Sequence, residues 1–269
     1  ALARLRAHFD DPLFVREGRG VKPTAMADAL MPAVRDALDR LRAGLEPRSV
    51  FEPSRSTRVF NIAARDAGAF MVAPALAKQL EDEAPGIRIA WSQVQRSAIS
   101  TELASGRLDI AIDVPGLRGP DLERLPLFAA PYACAVSKDH PLADRPLTLE
   151  RFLDLRHVVV SSRREGRSYV EEVVRAAGHR IMPVMRLPHY MPALEIARHT
   201  HLAVTAPLPL VQGSGLAVLA LPDIFPPLDS VLYWRRENAE DPALTWLQGL
   251  IQDAATGLQN ASPYPGSAG

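Results

Sequence analysis

Residues 59–113 read VFNIAARDAGAFMVAPALAKQLEDEAPGIRIAWSQVQRSAISTELASGRLDIAID, and this stretch decides the fold. Three apolar runs bounded by turn residues predict strands, at 59–64, 87–94 and 108–113. Helical periodicity fills the two gaps between them, at about 68–83 and 97–104. Since strands that alternate with helices normally pair in parallel, the stretch predicts a parallel sheet with helices on its faces.

The alternation restarts near residue 132 and predicts a second α/β lobe. Further strands are expected at 132–137, 158–160, 182–187, 202–205, 216–221 and 231–235, and further helices at 147–153, 169–177, 191–199 and 242–256. Thr148 and Gly178 are the expected start and stop signals of two of these helices. Two lobes joined by crossings near 128–131 and 221–228 would place the carboxyl ends of their strands along one shared cleft, which is where such folds bind ligands.

The chain before residue 59 has a different pattern. Residues 2–9 predict a helix that ends at Asp10-Asp11-Pro12. Residues 13–23 predict a hairpin that turns at 17–20, followed by a helix over about 24–45. An apolar residue recurs in this helix every three or four positions, at Met31, Val34, Leu38, Leu41 and Leu45, which is a heptad pattern. Residues 46–58, with two prolines, predict a linker.

Composition limits the classes of protein to consider. The 269 residues carry 31 basic and 31 acidic side chains, so the formal net charge is zero and any contact with nucleic acid must come from a local patch. No apolar run reaches the roughly 18 residues that span a bilayer. Cys134 is the single cysteine, which excludes an internal disulfide and favours a reducing, cytoplasmic location. No membrane partner is expected.

Several segments carry a resemblance to LysR-type transcriptional regulators. DPLFVREGRGVKPT at 11–24 resembles the wing of their winged helix-turn-helix, and residues 1–9 resemble the end of the recognition helix. EAPGI at 83–87, LASGRLDIAI at 103–112 and KDHPL at 138–142 are similar to segments of their effector domain. The likeness extends over nearly the whole chain, and the most similar group contains regulators of aromatic degradation and of nodulation genes.

The resemblance implies a domain plan. A partial winged helix-turn-helix is expected at 1–24 and a linker and dimerisation helix at 25–57. A two-lobed effector domain of the periplasmic-binding-protein type 2 fold is expected at 58–257, with lobe I at 58–128 and 229–257 and lobe II at 129–228. Residues 258–269 are expected to be a disordered tail. The first helices of the DNA-binding domain are expected to lie upstream of Ala1.

Candidate effector-binding residues follow predicted strands or precede predicted helices. Exposed amides at helix starts and hydroxyl donors bind carboxylates well, and the family's effector pocket uses these segments. The candidates are Asp66, Ser97, Ser162, Arg163, His189 and Thr205, and the expected effector is a small organic acid, with an aromatic acid as one form of it. The alternative for each is structural: Ser97 and Ser162 as helix caps, His189 as a loop histidine, and Arg163 as a solvated charge.

The basic residues near the hairpin are the DNA-binding candidates. Cations on a projecting hairpin can contact phosphates, and the candidates are Arg4, Arg16, Arg19 and Lys22. Without the resemblance they are equally well explained as solvated charges. The heptad pattern is likewise either a dimer interface or a helix face packed on its own domain. The family's use of this helix favours a homodimer or homotetramer.

The sequence therefore predicts a regulator that binds double-stranded DNA and a small effector, and not an enzyme. Phosphate-loop, Gly-x-Ser-x-Gly and His-Glu-x-x-His motifs are absent from the sequence. No cofactor and no metal are expected, and His199-Thr200-His201 is only a weak metal motif. The competing hypotheses are a solute-binding protein of the same fold, an enzyme on the same scaffold, and a truncated regulator that binds effector but not DNA.

Overall fold

The computed structural model describes residues 2–18, 20–45, 51–161 and 167–259, without the side chains of residues 36, 39, 40, 42–45 and 257–259. The chain divides into two compact units, Ala1–Val50 and Phe51–Gly269. Arg19, Ser162, Arg163, the Leu45 side chain and the 260–269 tail lie outside the described part.

The first unit has two helices and a hairpin. In chain order these elements are α1 (Leu2–Phe9), β1 (Phe14–Glu17), β2 (Gly20–Pro23) and α2 (Ala25–Leu45). The Asp11 carboxylate accepts hydrogen bonds from the Leu13 amide at 2.6 Å and the Thr24 hydroxyl at 2.7 Å. These bonds fix the entry to the hairpin and the start of α2. Pro32 lies inside α2 without ending it.

The second unit contains two five-stranded sheets, which we call lobe I and lobe II. Lobe I has the strand order β4-β3-β5-β12-β6. Its elements are β3 (Val59–Ala64), α3 (Asp66–Glu83), β4 (Arg88–Ser92), α4 (Arg96–Ala104), β5 (Ile110–Asp113), β6 (Leu122–Ala130), β12 (Leu228–Arg235) and α9 (Pro242–Gln259). Pairing of β3 with β4 and β5 is parallel, as predicted.

The rest of lobe I, which the prediction from residues 59–113 did not cover, is antiparallel. The strand β12 pairs antiparallel with both β5 and β6, so the sheet is mixed. The reason is the second crossing, since the chain re-enters lobe I from lobe II and β12 runs back along the sheet. Strand β6 was not predicted, and it covers most of the segment expected to be the first crossing.

Lobe II has the strand order β11-β7-β10-β8-β9. Its elements are β7 (Tyr132–Val136), α5 (Leu149–Asp154), β8 (His157–Val160), α6 (Tyr169–Ala176), β9 (Met185–Leu187), α7 (Tyr190–His199), β10 (Ala203–Pro207), α8 (Leu208–Gln212) and β11 (Ala217–Ala220). The predicted signals are confirmed, because Thr148 caps α5 and Gly178, with φ of +83°, follows α6.

Two crossings of unequal length join the lobes. Strand β6 ends at Ala130 and β7 begins at Tyr132, so Pro131 alone makes the first crossing. Residues 221–227 make the second. The lobe I core packs α3 and α9 against the sheet through side chains such as Phe60, Leu76 and Leu247. Lobe II has its own core around Val158, Leu194 and Val211. No helix in the described part of the chain is long and apolar enough to cross a membrane.

Candidate effector site

A cavity of about 270 Å³ lies between the lobes. Its wall is built from the ends of strands and the starts of helices, as the fold predicts. Lobe I contributes the first turn of α3, the end of β5 and the start of β12, and lobe II contributes the end of β8, the start of α6 and the start of α7. Because each parallel strand ends at this edge, the residues that follow it face the space between the lobes.

Three tyrosines form one wall of the cavity, and all three belong to lobe II. The rings of Tyr132 and Tyr169 lie 4.6 Å apart between centroids, and the hydroxyls of Tyr132 and Tyr190 lie 3.1 Å apart. Tyr169 donates a hydrogen bond to the Pro226 carbonyl in the second crossing. The tyrosines therefore combine flat apolar surface with hydroxyl groups, which suits a ring that carries polar substituents.

These hydroxyls are protonated at neutral pH, and burial moves their pKa values further above it. Burial raises the pKa of Tyr169 and of Tyr190 to about 12 and that of Tyr132 well above its usual value of 10. The nearby Arg65 guanidinium lowers the pKa of Tyr132 and Tyr190, but by less than burial raises it. The cavity thus holds neutral phenols with a cation beside them.

Three carboxylates of the cavity wall have their own partners. Asp113 is buried, and Nη1 of Arg96 lies 2.7 Å from its Oδ2. Glu172 lies 3.7 Å from Nη1 of Arg167. Asp66 accepts a hydrogen bond of 2.7 Å from the Tyr190 amide. The charges of Asp113 and Glu172 are therefore each balanced by an arginine, which reduces the repulsion that an anion in the cavity would meet, whereas the hydrogen-bond donor to Asp66 is an uncharged amide.

His189 stands at the mouth of the cavity and faces lobe I. Its Nδ1 lies 3.4 Å from Nε2 of Gln93 and 3.8 Å from Oδ2 of Asp66. The side chain remains 44% exposed, so it borders the cavity without forming its wall. The structure thus brings two of the predicted residues, Asp66 and His189, together across the two lobes.

Two other predicted residues lie elsewhere. Ser97 is exposed on the first turn of α4, whose cap is Gln95, and does not line the cavity. Thr205 is buried in β10 opposite Cys134, two residues before Pro207, which does reach the cavity. Burial there raises the pKa of the Cys134 thiol to about 12. Ser162 and Arg163 lie outside the described residues.

The sequence interpretation did not select most of the residues that form the wall. These include Arg65, Tyr132, Ser161, Arg167, Ser168, Tyr169 and Tyr190. Their segments were identified, because Arg65 and Ser161 follow strands and Tyr190 begins a helix. The signal that would have found the tyrosines is their position at those strand and helix ends, where an aromatic side chain faces the cleft.

Of the DNA-binding candidates, Arg4, Arg16 and Lys22 lie among the described residues of the first unit, and all three are exposed. Cross-strand pairing sets Arg16 opposite Val21 and Lys22 opposite Val15, so Arg16 and Lys22 point to opposite faces of the hairpin. Nζ of Lys22 lies 3.3 Å from Oε1 of Glu17. Arg4 lies on α1 and is exposed. A flat surface could therefore contact only one of the two hairpin cations.

The heptad residues of α2 are exposed in the single chain. Met31, Val34, Leu38 and Leu41 are between 37% and 61% exposed. An apolar row that does not pack on its own unit is available for a second copy.

A second, larger groove of about 660 Å³ lies on lobe II alone, between 143–149 and 218–224. Among the described residues, no aromatic side chain lines it, and it is separate from the strand ends that border the cavity. Within the same described ranges, no group of three or more His, Cys, Asp or Glu side chains is placed to hold a metal ion.

Two mixed sheets joined by two crossings, with a cavity at their strand ends, define the class of two-lobed ligand-binding domains. Residues 53–256 match the family model of the LysR substrate binding domain, so the chain belongs to the LysR-type transcriptional regulators. It is 33% identical over 261 residues to the HTH-type transcriptional activator NahR of Pseudomonas putida, covering 95% of this chain and 87% of that protein. NahR is a transcriptional activator and not an enzyme.

Solved structures agree with this fold. The probable transcriptional regulator PA0477 from Pseudomonas aeruginosa superposes with a TM-score of 0.76 at 33% identity, covering 94% of this chain and 85% of that one. The BenM effector binding domain, solved with its effector benzoate, superposes with a TM-score of 0.62 at 18% identity, covering 76% and 95%. The second likeness concerns the fold alone.

Proposed function

We propose that this cytosolic regulator senses a small aromatic carboxylic acid in the cavity between its lobes. The observation that carries the proposal is the wall itself, where two tyrosine rings in tilted contact adjoin phenol hydroxyls and the Arg65 cation. The rings would pack on an aromatic group, and the Arg65 cation would attract a carboxylate. Benzoate, the effector of the similarly folded BenM domain, is the first probe to use.

The size of the cavity supports a ligand with one ring. Its volume of about 270 Å³ lies just below the roughly 300–1,000 Å³ of sites that hold drug-sized molecules. Apolar side chains such as Met71, Ile112 and Leu228 complete the wall and would exclude water from the ring. A larger, branched acid would force the lobes apart.

A thermal-shift titration with benzoate tests this proposal, with acetate as the non-aromatic control. Binding should raise Tm with benzoate concentration by mass action, and Tyr169→Leu should reduce that shift by removing a ring and a hydroxyl. Ser97→Ala, outside the cavity, should leave it unchanged. If Ser97→Ala abolished the shift and Tyr169→Leu did not, the ligand would bind at the start of α4 instead. No shift with benzoate at any concentration would argue against a single-ring acid.

The response would reach DNA through the first unit. We propose that α2 pairs two copies through its apolar row and that Arg4, Arg16, Arg19 and Lys22 contact phosphates, with the hairpin lying in a groove so that Arg16 and Lys22 reach phosphates on its two sides. Dimeric DNA-binding proteins match the spacing of DNA half-sites by their dimer geometry, so a ligand that favours one lobe arrangement could alter that spacing.

The salt dependence of DNA binding tests the phosphate contacts. Each phosphate contact adds about one to the slope of log affinity against log salt concentration. Because a dimer carries two copies of Arg16, Arg16→Ala should reduce the slope by about two units. That loss, measured with the promoter DNA upstream of the gene, would support its role, and an unchanged slope would exclude it.

A further inference from the structure

One acidic side chain in the cavity wall binds the opposite lobe. Asp66 begins α3 in lobe I, and its Oδ2 accepts a 2.7 Å hydrogen bond from the amide of Tyr190, the first residue of α7 in lobe II. The bond joins residues 124 positions apart in the sequence. It is charge-assisted, because the acceptor is a carboxylate and the donor is a first-turn amide that has no partner within its own helix.

Neighbouring contacts reach the same point of lobe II. Nε2 of Gln93, in lobe I, lies 3.4 Å from Nδ1 of His189, which immediately precedes α7. Ala67, next to Asp66, packs against the core of lobe II. Both of these side-chain hydrogen bonds between the lobes therefore end at His189–Tyr190, and both start from residues that follow strands of lobe I. The start of α7 is thus a place where lobe I holds lobe II.

We propose that Asp66 is a cross-lobe tie that fixes the resting arrangement of the lobes, and that a bound ligand acts by weakening it. This inference rests on the proposed function, because it assigns the regulation of the same cavity. Asp66 and Tyr190 both line the cavity, so a ligand there contacts both partners of the bond. A ligand carboxylate is repelled by the Asp66 carboxylate at short range, and it meets the Tyr190 ring, which moves with α7.

The strength of one such hydrogen bond is comparable to the coupling that changes the populations of two lobe arrangements. A hydrogen bond to a charged group shifts an equilibrium by roughly 10- to 150-fold, and allosteric couplings are of similar size, about 5- to 150-fold. Loss of this one bond therefore suffices to change the populations of two lobe arrangements by tenfold or more. The separate core of each lobe would keep the domain folded when the tie is broken.

The test measures lobe separation in the full chain without any ligand. Nitroxide labels at Glu81→Cys on α3 and Ala176→Cys on α6, both exposed, report the distance between lobes by double electron–electron resonance. Cys134 is fully buried and stays unlabelled. Asp66→Ala should lengthen or broaden the distance distribution and speed hydrogen exchange of the Tyr190 amide about tenfold or more. Asp66→Asn, whose amide oxygen still accepts a bond, should stay near the unsubstituted chain. Glu123→Ala, which removes an ion pair within lobe I, is the matched control.

The outcomes separate this proposal from the proposed function. An Asp66→Ala chain with unchanged distances and unchanged Tyr190 exchange would overturn the tie, whatever benzoate does. Benzoate added to the unsubstituted chain should move its distances toward those of Asp66→Ala and should have little further effect on Asp66→Ala itself. An equal benzoate response in both chains would overturn the role of the tie in sensing. If Asp66→Ala shifts the distances and benzoate shifts neither chain, the tie is supported and the aromatic ligand is not.

Discussion

Two glycines show how one methyl group acts in opposite directions at different places. A Cβ at Gly86 would lie 2.6 Å from the Ser56 carbonyl oxygen, which is backbone and cannot rotate away. A Cβ at Gly249, inside α9, would meet nothing within 4 Å. The environment rather than the residue type decides the effect.

We therefore expect Gly86→Ala to lower the free energy of unfolding by about 1–3 kcal/mol, the usual effect of overpacking. Gly249→Ala should raise it by about 0.5–1 kcal/mol, because glycine in a helix is less favourable than alanine. Urea unfolding of both variants measures these two changes in the free energy of unfolding. A neutral Gly86→Ala would mean that the 55–57 segment moves away from residue 86 at no cost.

His157 connects pH to stability at a single residue. It is buried, and its Nε2 lies 2.8 Å from the Phe152 carbonyl. Burial lowers the pKa of its imidazole below the usual 6.5, and the Phe152 carbonyl opposes that shift only partly. The stability that the neutral ring contributes is therefore present above about pH 6.5 and is lost as pH falls through the folded-state pKa.

Unfolding at pH 7 and pH 5 should show this loss. His157→Gln keeps a donor but cannot take up a charge, so its stability should fall less steeply with acid, by up to about 1.4 kcal/mol per pH unit. His199→Gln, on an exposed helix end, is the control and should retain the slope. His140, whose pKa is also lowered by burial, leaves a residual slope in both variants. Equal slopes in His157→Gln and the unsubstituted chain would contradict this assignment.

The positions of the segments that border the cavity were more predictable from the sequence than the directions in which their side chains point. The sequence located the segments after β3 and β8 and before α7, because strand and helix ends can be inferred from periodicity. It could not distinguish Thr205 from Pro207, because every residue of β10 is buried and such a strand has no alternation from which to infer its facing side. Ser97 presents a similar difficulty. It lies in the first turn of α4, and the sequence does not reveal whether that turn borders the cleft.

At the scale of elements, the missed strand β6 has a physical explanation. Pro126 interrupts its apolar pattern and cannot donate to a neighbouring strand. The strand tolerates it because β6 is at the edge of the sheet and because the register with β12 shifts between Ser230 and Val231, which leaves Leu127 as an extra residue. The short α8 was missed because prolines precede and interrupt it. Neither feature can be inferred from local periodicity.

The start of α6 gives a prediction for one helix. Ser168 and Glu171 form a capping box, in which each side chain bonds the other's backbone amide. Ser168→Ala should cost about 1 kcal/mol of stability, and it should also weaken benzoate binding, because Arg167, Tyr169 and Glu172 of the cavity wall depend on this turn.

Thr148→Ala is the matched control, since it removes a comparable cap from α5, away from the cavity. Urea unfolding should show similar losses in both variants, and the benzoate thermal shift should fall only in Ser168→Ala. Equal effects on benzoate would show that general destabilisation, and not the position of α6, governs the site.

At the scale of the whole molecule, the apolar row of α2 is expected to determine the oligomeric state. Leu38→Glu places a charge at its centre and should convert the proposed dimer to monomers, raising the dissociation constant tenfold or more, because a buried leucine contributes about 1.5–3 kcal/mol. Ala29→Glu is the control, since it lies nine residues away and about half a turn around the helix. Sedimentation velocity distinguishes the two, and a Leu38→Glu chain that still sediments as a dimer would exclude this row as the interface.

The first crossing has a mechanical consequence. Pro131 alone connects β6 to β7, and its ring fixes one of the two backbone torsions at that point. The seven residues of the other crossing, 221–227, include Pro222, Pro226 and Pro227 and are also restricted. Sliding of one sheet past the other is thereby obstructed, and swivelling about an axis through Pro131 is the motion that remains. A small rotation about Pro131 would then produce larger displacements in the parts of each lobe that lie farthest from it.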